Sequence, residues 1–212
     1  MENVKKLYRE AFEKYGDSPN SVLIPKGRQK NRFDVLTSQI MTSGQNTSVL
    51  DFGCGLAHLR DYLVEGKIAC NYTGVDITEE FINFNKSRHK DCSFFLLDDF
   101  MNGTEEYDYI ISSGTFNIRY VTDYERHREI VLNTLERLFK RTRKAMAVDF
   151  MTDMVDFQQE GAFHESPVRI MQFFLANLTR RVIVNHSYMP YEFCIFAFKD
   201  QVILKPDNLY TE

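Results

Sequence analysis

The run Val49-Leu50-Asp51-Phe52-Gly53-Cys54-Gly55 constrains this chain more than any other stretch. It reads as a buried strand that stops in a glycine turn. A helical pattern over Leu56–Glu65 follows, stopped by Gly66, and a second apolar run, Tyr72-Thr73-Gly74-Val75, closes on Asp76. Strand, glycine turn, helix and a second strand with a terminal carboxylate make a βαβ unit. In such a unit glycines let the backbone approach a ligand, and the carboxylate grips ribose hydroxyls. The segment predicts a nucleoside-cofactor site.

The pattern continues as alternating strands and helices. Strands are expected at Ser48–Phe52, Asn71–Asp76, Ser93–Leu97, Tyr107–Ser112 and Ala145–Phe150. Thr78 starts a helix with Glu79 and Glu80 in its first turn, where the helix dipole favours carboxylates. A long helix over 123–143 carries Val131, Leu135, Leu138 and Phe139 on one face. Ser166-Pro167 opens another, to about Asn177, since proline fits a first helical turn. Two β-rich runs, Arg181–His186 and Glu192–Phe198, are separated only by Ser187–Tyr191. That link is too short for a parallel crossover, so they form an antiparallel hairpin. The expected α/β fold is a seven-stranded, mostly parallel sheet with helices on both faces and a C-terminal antiparallel hairpin.

Ahead of this core, Val4, Leu7, Tyr8, Ala11, Phe12 and Tyr15 recur at helical spacing, and a second helix is expected over 28–41 with Phe33, Leu36 and Ile40 inward. The break Ser43-Gly44-Gln45-Asn46 divides an N-terminal helical cap, 1–45, from the core, 46–212.

The chain's 212 residues suffice for one sizeable α/β domain. A formal net charge of −4 lowers the expectation of a phosphate-backbone partner. The four cysteines, Cys54, Cys70, Cys92 and Cys194, make no CxxC pair and no zinc spacing. No leader-like segment and no membrane-length apolar run are seen. A cytoplasmic protein with reduced thiols and no membrane partner is the expectation.

Two cofactor classes fit a glycine turn with a distant carboxylate. A dinucleotide needs Gly-x-Gly-x-x-Gly, and here the sixth position is His58. This counts against a bound pyrophosphate and leaves a cofactor without one. Val49–Gly55, Tyr72–Asp76 and Asp98-Asp99-Phe100 together resemble class I, Rossmann-like S-adenosylmethionine-dependent methyltransferases, over about residues 47–200. The resemblance implies that S-adenosylmethionine is the cofactor and that Asp51, Gly53, Cys54 and Gly55 border its methionine part. Asp76 would hold both ribose hydroxyls and Ile77 would pack on the adenine. Asp98 or Asp99, with Asp99 favoured, would accept from the adenine amino group, with the Phe100 backbone nearby. Ser112, Ser113 and Gly114 would lie near the methyl group. Ala57 stands where many members have a third glycine.

Ligands in open α/β sheets sit beyond the carboxyl ends of the strands. Three segments can reach that edge: 113–120, the stretch from Asp149 to His164, and the N-terminal helices. His164 is the candidate base, against the competing reading of an exposed loop histidine. Asn117 and Tyr120 are candidates to orient an acceptor, or to pack the loop. Arg32 could pair with the cofactor carboxylate, or lie on the surface. His58 could touch the same carboxylate or serve structure. His89 and His127 read as solvated helix positions, and His186 as sheet-edge surface. Asp149, Asp153 and Asp156 do not make a convincing metal site, and no metal is expected.

An Asp/Asn-Pro-Pro-aromatic motif is absent after the fourth strand, where Ser112-Ser113-Gly114-Thr115-Phe116 stands. DNA is not the expected acceptor. Arg126, Arg128, Arg137, Lys140, Arg141, Arg143 and Lys144 keep an RNA or tRNA acceptor open, though a solvated helix face explains them. A small-molecule acceptor methylated on O or N fits the chain length best, and a non-catalytic binding module is the other class.

Overall fold

A computed structural model describes residues 1–24, 28–40 and 47–199. The break placed at residues 43–46, with the domain boundary on it, and the chain after residue 199 lie outside those residues. The first core strand, β1 (Ser48–Phe52), sits centrally. It pairs in parallel with β2 (Asn71–Asp76) on one side and β4 (Tyr107–Ser112) on the other. β3 (Ser93–Leu96) extends the sheet beyond β2, and β5 (Thr142–Thr152) beyond β4, both in parallel. The hairpin β7 (Val182–Met189) and β8 (Glu192–Phe198) completes the order β3-β2-β1-β4-β5-β8-β7, with β8 antiparallel to β5. These seven strands are the expected sheet. An eighth, β6 (His164–Glu165), pairs in parallel with the end of β5, Met151 opposite His164.

The strands alternate between two cores, as a period of two requires. Leu50, Phe52, Met146, Val148 and Phe150 face α6 (Tyr124–Lys140) and α7 (Pro167–Asn177). Val49, Ala145 and Ala147 face the opposite layer, built by α2 (Arg28–Leu36) and α3 (His58–Glu65) through Phe33, Leu36, Leu59 and Leu63. Small residues at 145 and 147 let α2 lie close on β5.

α1 (Glu2–Tyr15) lies over α4 (Glu79–Arg88), and a 3-10 turn at Pro19–Val22 folds back on the end of α1, the Ser21 hydroxyl donating to the Gly16 carbonyl at 2.5 Å. Phe12 packs edge-on against Phe81 and Phe84 with centroids 5.5 and 5.4 Å apart, and Arg9 pairs with Glu80. Leu7 and Tyr15, which recur at helical spacing with Val4 and Ala11, are exposed, because only a narrow face of α1 meets the core. α2 ends at Leu36, before the expected residue 41. Residues 97–101, expected to begin as strand, form a short helix, α5 (Leu97–Met101). The hairpin link is only Pro190-Tyr191, because β7 runs on to Met189. No helix among the described residues is long and apolar enough to cross a membrane.

Candidate active site

β1 and β2 run side by side and β4 departs on the other flank, so the chain reverses direction around β1. This is the switch point at which open α/β sheets bind ligands. The glycine turn occupies it. Gly53 and Gly55 take φ of 82° and 51°, and the Gly53 and Cys54 amides both donate to the Val75 carbonyl, at 2.7 and 2.9 Å. A Cβ on Gly53 would lie 2.1 Å from Thr115 Oγ1, whose hydroxyl donates to the Phe52 carbonyl at 2.7 Å. A Cβ on Gly55 would lie 2.6 Å from Val22 Cγ1. The turn is thus clamped between the loop after β4 and the N-terminal segment, and only bare backbone fits.

Asp76 completes the turn from β2. Its Oδ2 accepts from the Gly55 amide at 2.9 Å and its Oδ1 from the Thr78 amide at 2.8 Å. Burial raises its pKa against those two donors. Asn85, buried in α4, donates to the Gly55 carbonyl at 2.8 Å and fixes the far side of the turn. Asp51 is also buried. Burial pushes its carboxyl up to about 7, with the Asp76 charge adding to the rise and the Tyr72 hydroxyl, donating at 2.6 Å, opposing it.

A cavity opens over this turn, lined by Asp51, Gly53, Cys54, Gly55, Asp76, Ile77 and Ser113 among others. The N-terminal segment forms its other wall through Tyr8, Val22, Ile24, Gln29 and Phe33. The Tyr8 phenol is driven far above its usual range by burial first and the Asp76 charge second. Asp98 and Asp99 do not line the cavity. They lie exposed on α5, while Leu97, one residue earlier, reaches it. The Phe100 ring is buried in the core beneath Arg141, 3.8 Å from centroid to guanidinium.

Arg32 is buried, so the surface alternative for it does not hold. Its Nε and Nη2 donate to Glu192 Oε2 and Oε1 at 2.7 and 2.5 Å, and Asp149 stands 3.7 Å from Nε. Burial works against this cation, but Glu192 and Asp149 outweigh it and hold the guanidinium above its ordinary range. The remaining edge, Nη1, lies against Gly114, where a Cβ would come within 2.9 Å. Asp149 accepts from the Gly114 amide at 2.5 Å and the Ser113 hydroxyl at 3.3 Å, which fixes the loop after β4. Burial raises the Asp149 carboxyl to about 6 against the pull of Arg32.

The candidates from the second half are held apart from this cavity. Asn117 is a clasp: its Oδ1 accepts from the Met151 amide at 3.2 Å, and its carbonyl accepts from the Phe163 amide at 2.9 Å. Tyr120 packs edge-on against His127, centroids 4.7 Å apart. His164 is not an exposed loop residue. It is buried on β6, with Nδ1 2.8 Å from the Thr152 carbonyl, and it lines a second cavity with Met151, Phe157, Tyr191 and Glu192.

The other histidines divide. His58 bridges Gln29 and Asp17, 3.0 Å from each, and ties the N-terminal segment to α3. His186 is exposed on the edge strand, as expected. His89 and His127 are buried, not solvated. The loops at 120 and 163 cover the helix face that carries His127. Asp153 and Asp156 are exposed, apart from buried Asp149, and no group of three metal-ligating side chains converges among the described residues.

Glycine turn, strand-end carboxylate and terminal hairpin together define a class I, Rossmann-like methyltransferase fold. A methyltransferase-domain family model matches residues 43–178, and the chain belongs to that family. Rv1506c of Mycobacterium tuberculosis, a protein assigned to the methyltransferases, is 26% identical over 169 residues, which span 76% of this chain and 98% of that one. The magnesium protoporphyrin IX methyltransferase ChlM of Synechocystis PCC 6803, solved with bound SAH, shares the fold. Its TM-score is 0.63 and its identity 15%, over 93% of this chain and 94% of that one. The plantazolicin methyltransferase BpumL, solved with a desmethylPZN analog and SAH, gives 0.61 and 13%, over 94% and 98%.

Proposed function

We propose that this chain transfers the methyl group of S-adenosylmethionine to an oxygen or nitrogen atom of a small-molecule acceptor, in the cytoplasm. When bound, S-adenosylmethionine supplies a methyl on a sulfonium centre, a leaving group that needs no further activation. Asp76 carries the reading. Each of its buried oxygens accepts one backbone donor, at 2.9 and 2.8 Å, at the lip of a cavity built on two positive-φ glycines. A carboxylate oxygen has capacity for a second donor, which two ribose hydroxyls would fill.

The other assignments follow from position. Asp51, Gly53, Cys54, Gly55 and Ser113 face the methionine end, where the Asp51 carboxylate suits the cofactor's positive charge. Ile77 and Leu97 offer apolar contact to the adenine, and the exposed first turn of α5 presents Asp98 and Asp99 beside them. Arg32 reaches the cofactor carboxylate through Nη1 alone, since Glu192 occupies its other edge. Residues 1–45 serve as a cap on the 46–212 core, a reading supported by the five N-terminal side chains in the cavity wall. Asn117 and Tyr120 shape the acceptor side by holding the loop after β4.

One observation favours a small acceptor over a nucleic acid. Arg126, Arg128, Arg141, Arg143 and Lys144 are each paired with a carboxylate of the same chain. Four free thiols suit a reducing compartment.

Calorimetric titration with S-adenosylmethionine and SAH tests the cofactor assignment. Asp76→Ala should weaken binding by about 1–3 kcal/mol, the cost of stranding hydrogen-bonding groups. Absent binding to the wild-type chain would defeat the proposal, and undiminished binding to the mutant would defeat the ribose assignment. Tight cofactor binding without transfer to any acceptor would favour a non-catalytic module.

A further inference from the structure

α1 sends one side chain into the cavity over the glycine turn, that of Tyr8. Its ring packs edge-on against the fully buried Phe81 of α4, centroids 6.0 Å apart, and Phe12 meets the same ring at 5.5 Å. Apolar contact thus fixes the Tyr8 ring, and the hydroxyl is left over. It forms no hydrogen bond with any described residue. Burial keeps the phenol protonated, and two charges act on it with opposite sign, Asp76 more strongly than Arg32. The hydroxyl is therefore a neutral donor close to the strand-end carboxylate.

A donor withdrawn from water without an acceptor is unfavourable. Asp76 does not supply one, since its two oxygens already accept from the Gly55 and Thr78 amides and Tyr8 is not bonded to it. A ribose hydroxyl that donates to Asp76 keeps its own lone pairs free to accept from Tyr8.

The wall that carries Tyr8 is also the lightly held one. Only Val4 and Ala11 of α1 are fully buried. The link after α1 is tied to the core through Asp17, which meets His58 of α3 and Arg88 of α4. The cavity measures about 100 Å³, below the roughly 300–1,000 Å³ of sites that enclose a small ligand. Its other wall is made of strand ends and the clamped glycine turn, so the N-terminal wall is the one that must give way.

We propose that the N-terminal segment is a cap operated by the cofactor: it swings out to admit S-adenosylmethionine and is fastened when the Tyr8 hydroxyl donates to a ribose hydroxyl whose own proton points to Asp76. This inference rests on the cofactor reading above. The ribose then joins the two walls, supplying the contact that the cap lacks by itself. SAH carries the same ribose, so the product fastens the cap as the substrate does.

Calorimetry and amide hydrogen exchange test this with four ligands: SAH, its 2′-deoxy and 3′-deoxy forms, and methylthioadenosine, which keeps the ribose and lacks the amino-acid tail. Tyr8→Phe keeps the ring on Phe81 and removes only the O–H. The ligand-free melt should stay unchanged, because that hydroxyl has no partner among the described residues. Binding of SAH and of methylthioadenosine should weaken equally, by about 3–10-fold for one hydrogen bond. With one of the two deoxy forms the mutation should make no difference. SAH should slow exchange across Glu2–Tyr15 in the parent chain, and less so in Tyr8→Phe. A loss for SAH that methylthioadenosine does not share puts the hydroxyl on the amino-acid tail and overturns the ribose contact. So does a loss undiminished with both deoxy forms, or no loss at all. Exchange across α1 that SAH leaves untouched overturns the cap. A parent chain that binds none of the four ligands is a failure of the cofactor reading itself.

Discussion

Arg32 and Glu192 stand 160 positions apart in sequence and meet in a two-pronged ion pair, Nε to Oε2 at 2.7 Å and Nη2 to Oε1 at 2.5 Å. The pair joins the N-terminal segment to the terminal hairpin, and Asp149 adds a second carboxylate 3.7 Å away. Breaking a buried pair from one side strands the partner charge. Arg32→Met should therefore destabilise the chain by about 3–5 kcal/mol. Arg32→Met combined with Glu192→Met should recover most of that loss. Urea denaturation of both variants decides it. A single-mutant loss below about 1 kcal/mol, the scale of an exposed pair, would mean that water reaches the site.

Asp51 couples cofactor binding to pH. Its carboxyl is raised to about 7, first by burial and then by Asp76. An unfolded aspartate titrates near 4. Between those values the native state binds more protons than the unfolded state, so this group makes stability fall as pH rises through the window. A positively charged cofactor reverses the preference and favours the ionised form. Binding at pH 6 should release a proton, and affinity should climb with pH up to about 7. Calorimetry in buffers of different ionisation enthalpy measures the proton count. In Asp51→Asn the release should shrink and the climb should flatten. Equal proton release in both chains would place the coupling elsewhere, in Asp76 or Asp149, which burial also raises.

The parts of this site that lie within one βαβ unit were legible in the sequence. Strand periodicity placed β1 and β2 correctly, and the glycines and Asp76 fall where a turn and a strand end must. The parts set by tertiary contact were not. Nothing local in the sequence joins Arg32 to Glu192. Asp98 and Asp99 are expected at the adenine from the family resemblance, and no local pattern in the sequence says which way they face. With α5 beginning at Leu97, the leucine turns inward and the carboxylates turn out. β6 is two residues long and has no periodicity to detect. Chain order puts His164 near the acceptor edge, while its burial and its cavity are set by tertiary contacts that no local pattern announces. Asn85 carried no signal, since a single asparagine in a helix is ordinary until its amide is seen on the Gly55 carbonyl.

His127 departs from the expected solvated position for a related reason, and its burial has a measurable consequence. On α6 it sits among arginines and glutamates, which suggests a wet face. The loops at 120 and 163 instead close over it, with the rings of Tyr120 and Phe163 at 4.7 and 4.9 Å. Both ring nitrogens are buried without partners, and burial first, then the Arg119 charge, lowers the imidazole to about 4. An unfolded histidine titrates near 6.5. Between the two values the unfolded chain binds the extra proton, so this group makes stability rise with pH, the opposite sign to Asp51. Its penalty is greatest below the window and absent above it. His127→Phe keeps an aromatic ring for Tyr120 and Phe163 and removes both stranded nitrogens. The variant should be more stable than the parent at pH 8, by about 1–3 kcal/mol for the relieved polar atoms. The gain should be larger at pH 5, where the parent also resists protonation. Chemical denaturation of both chains at the two pH values tests this. A gain that does not grow toward low pH would show that His127 finds a proton partner or a water when the loops open.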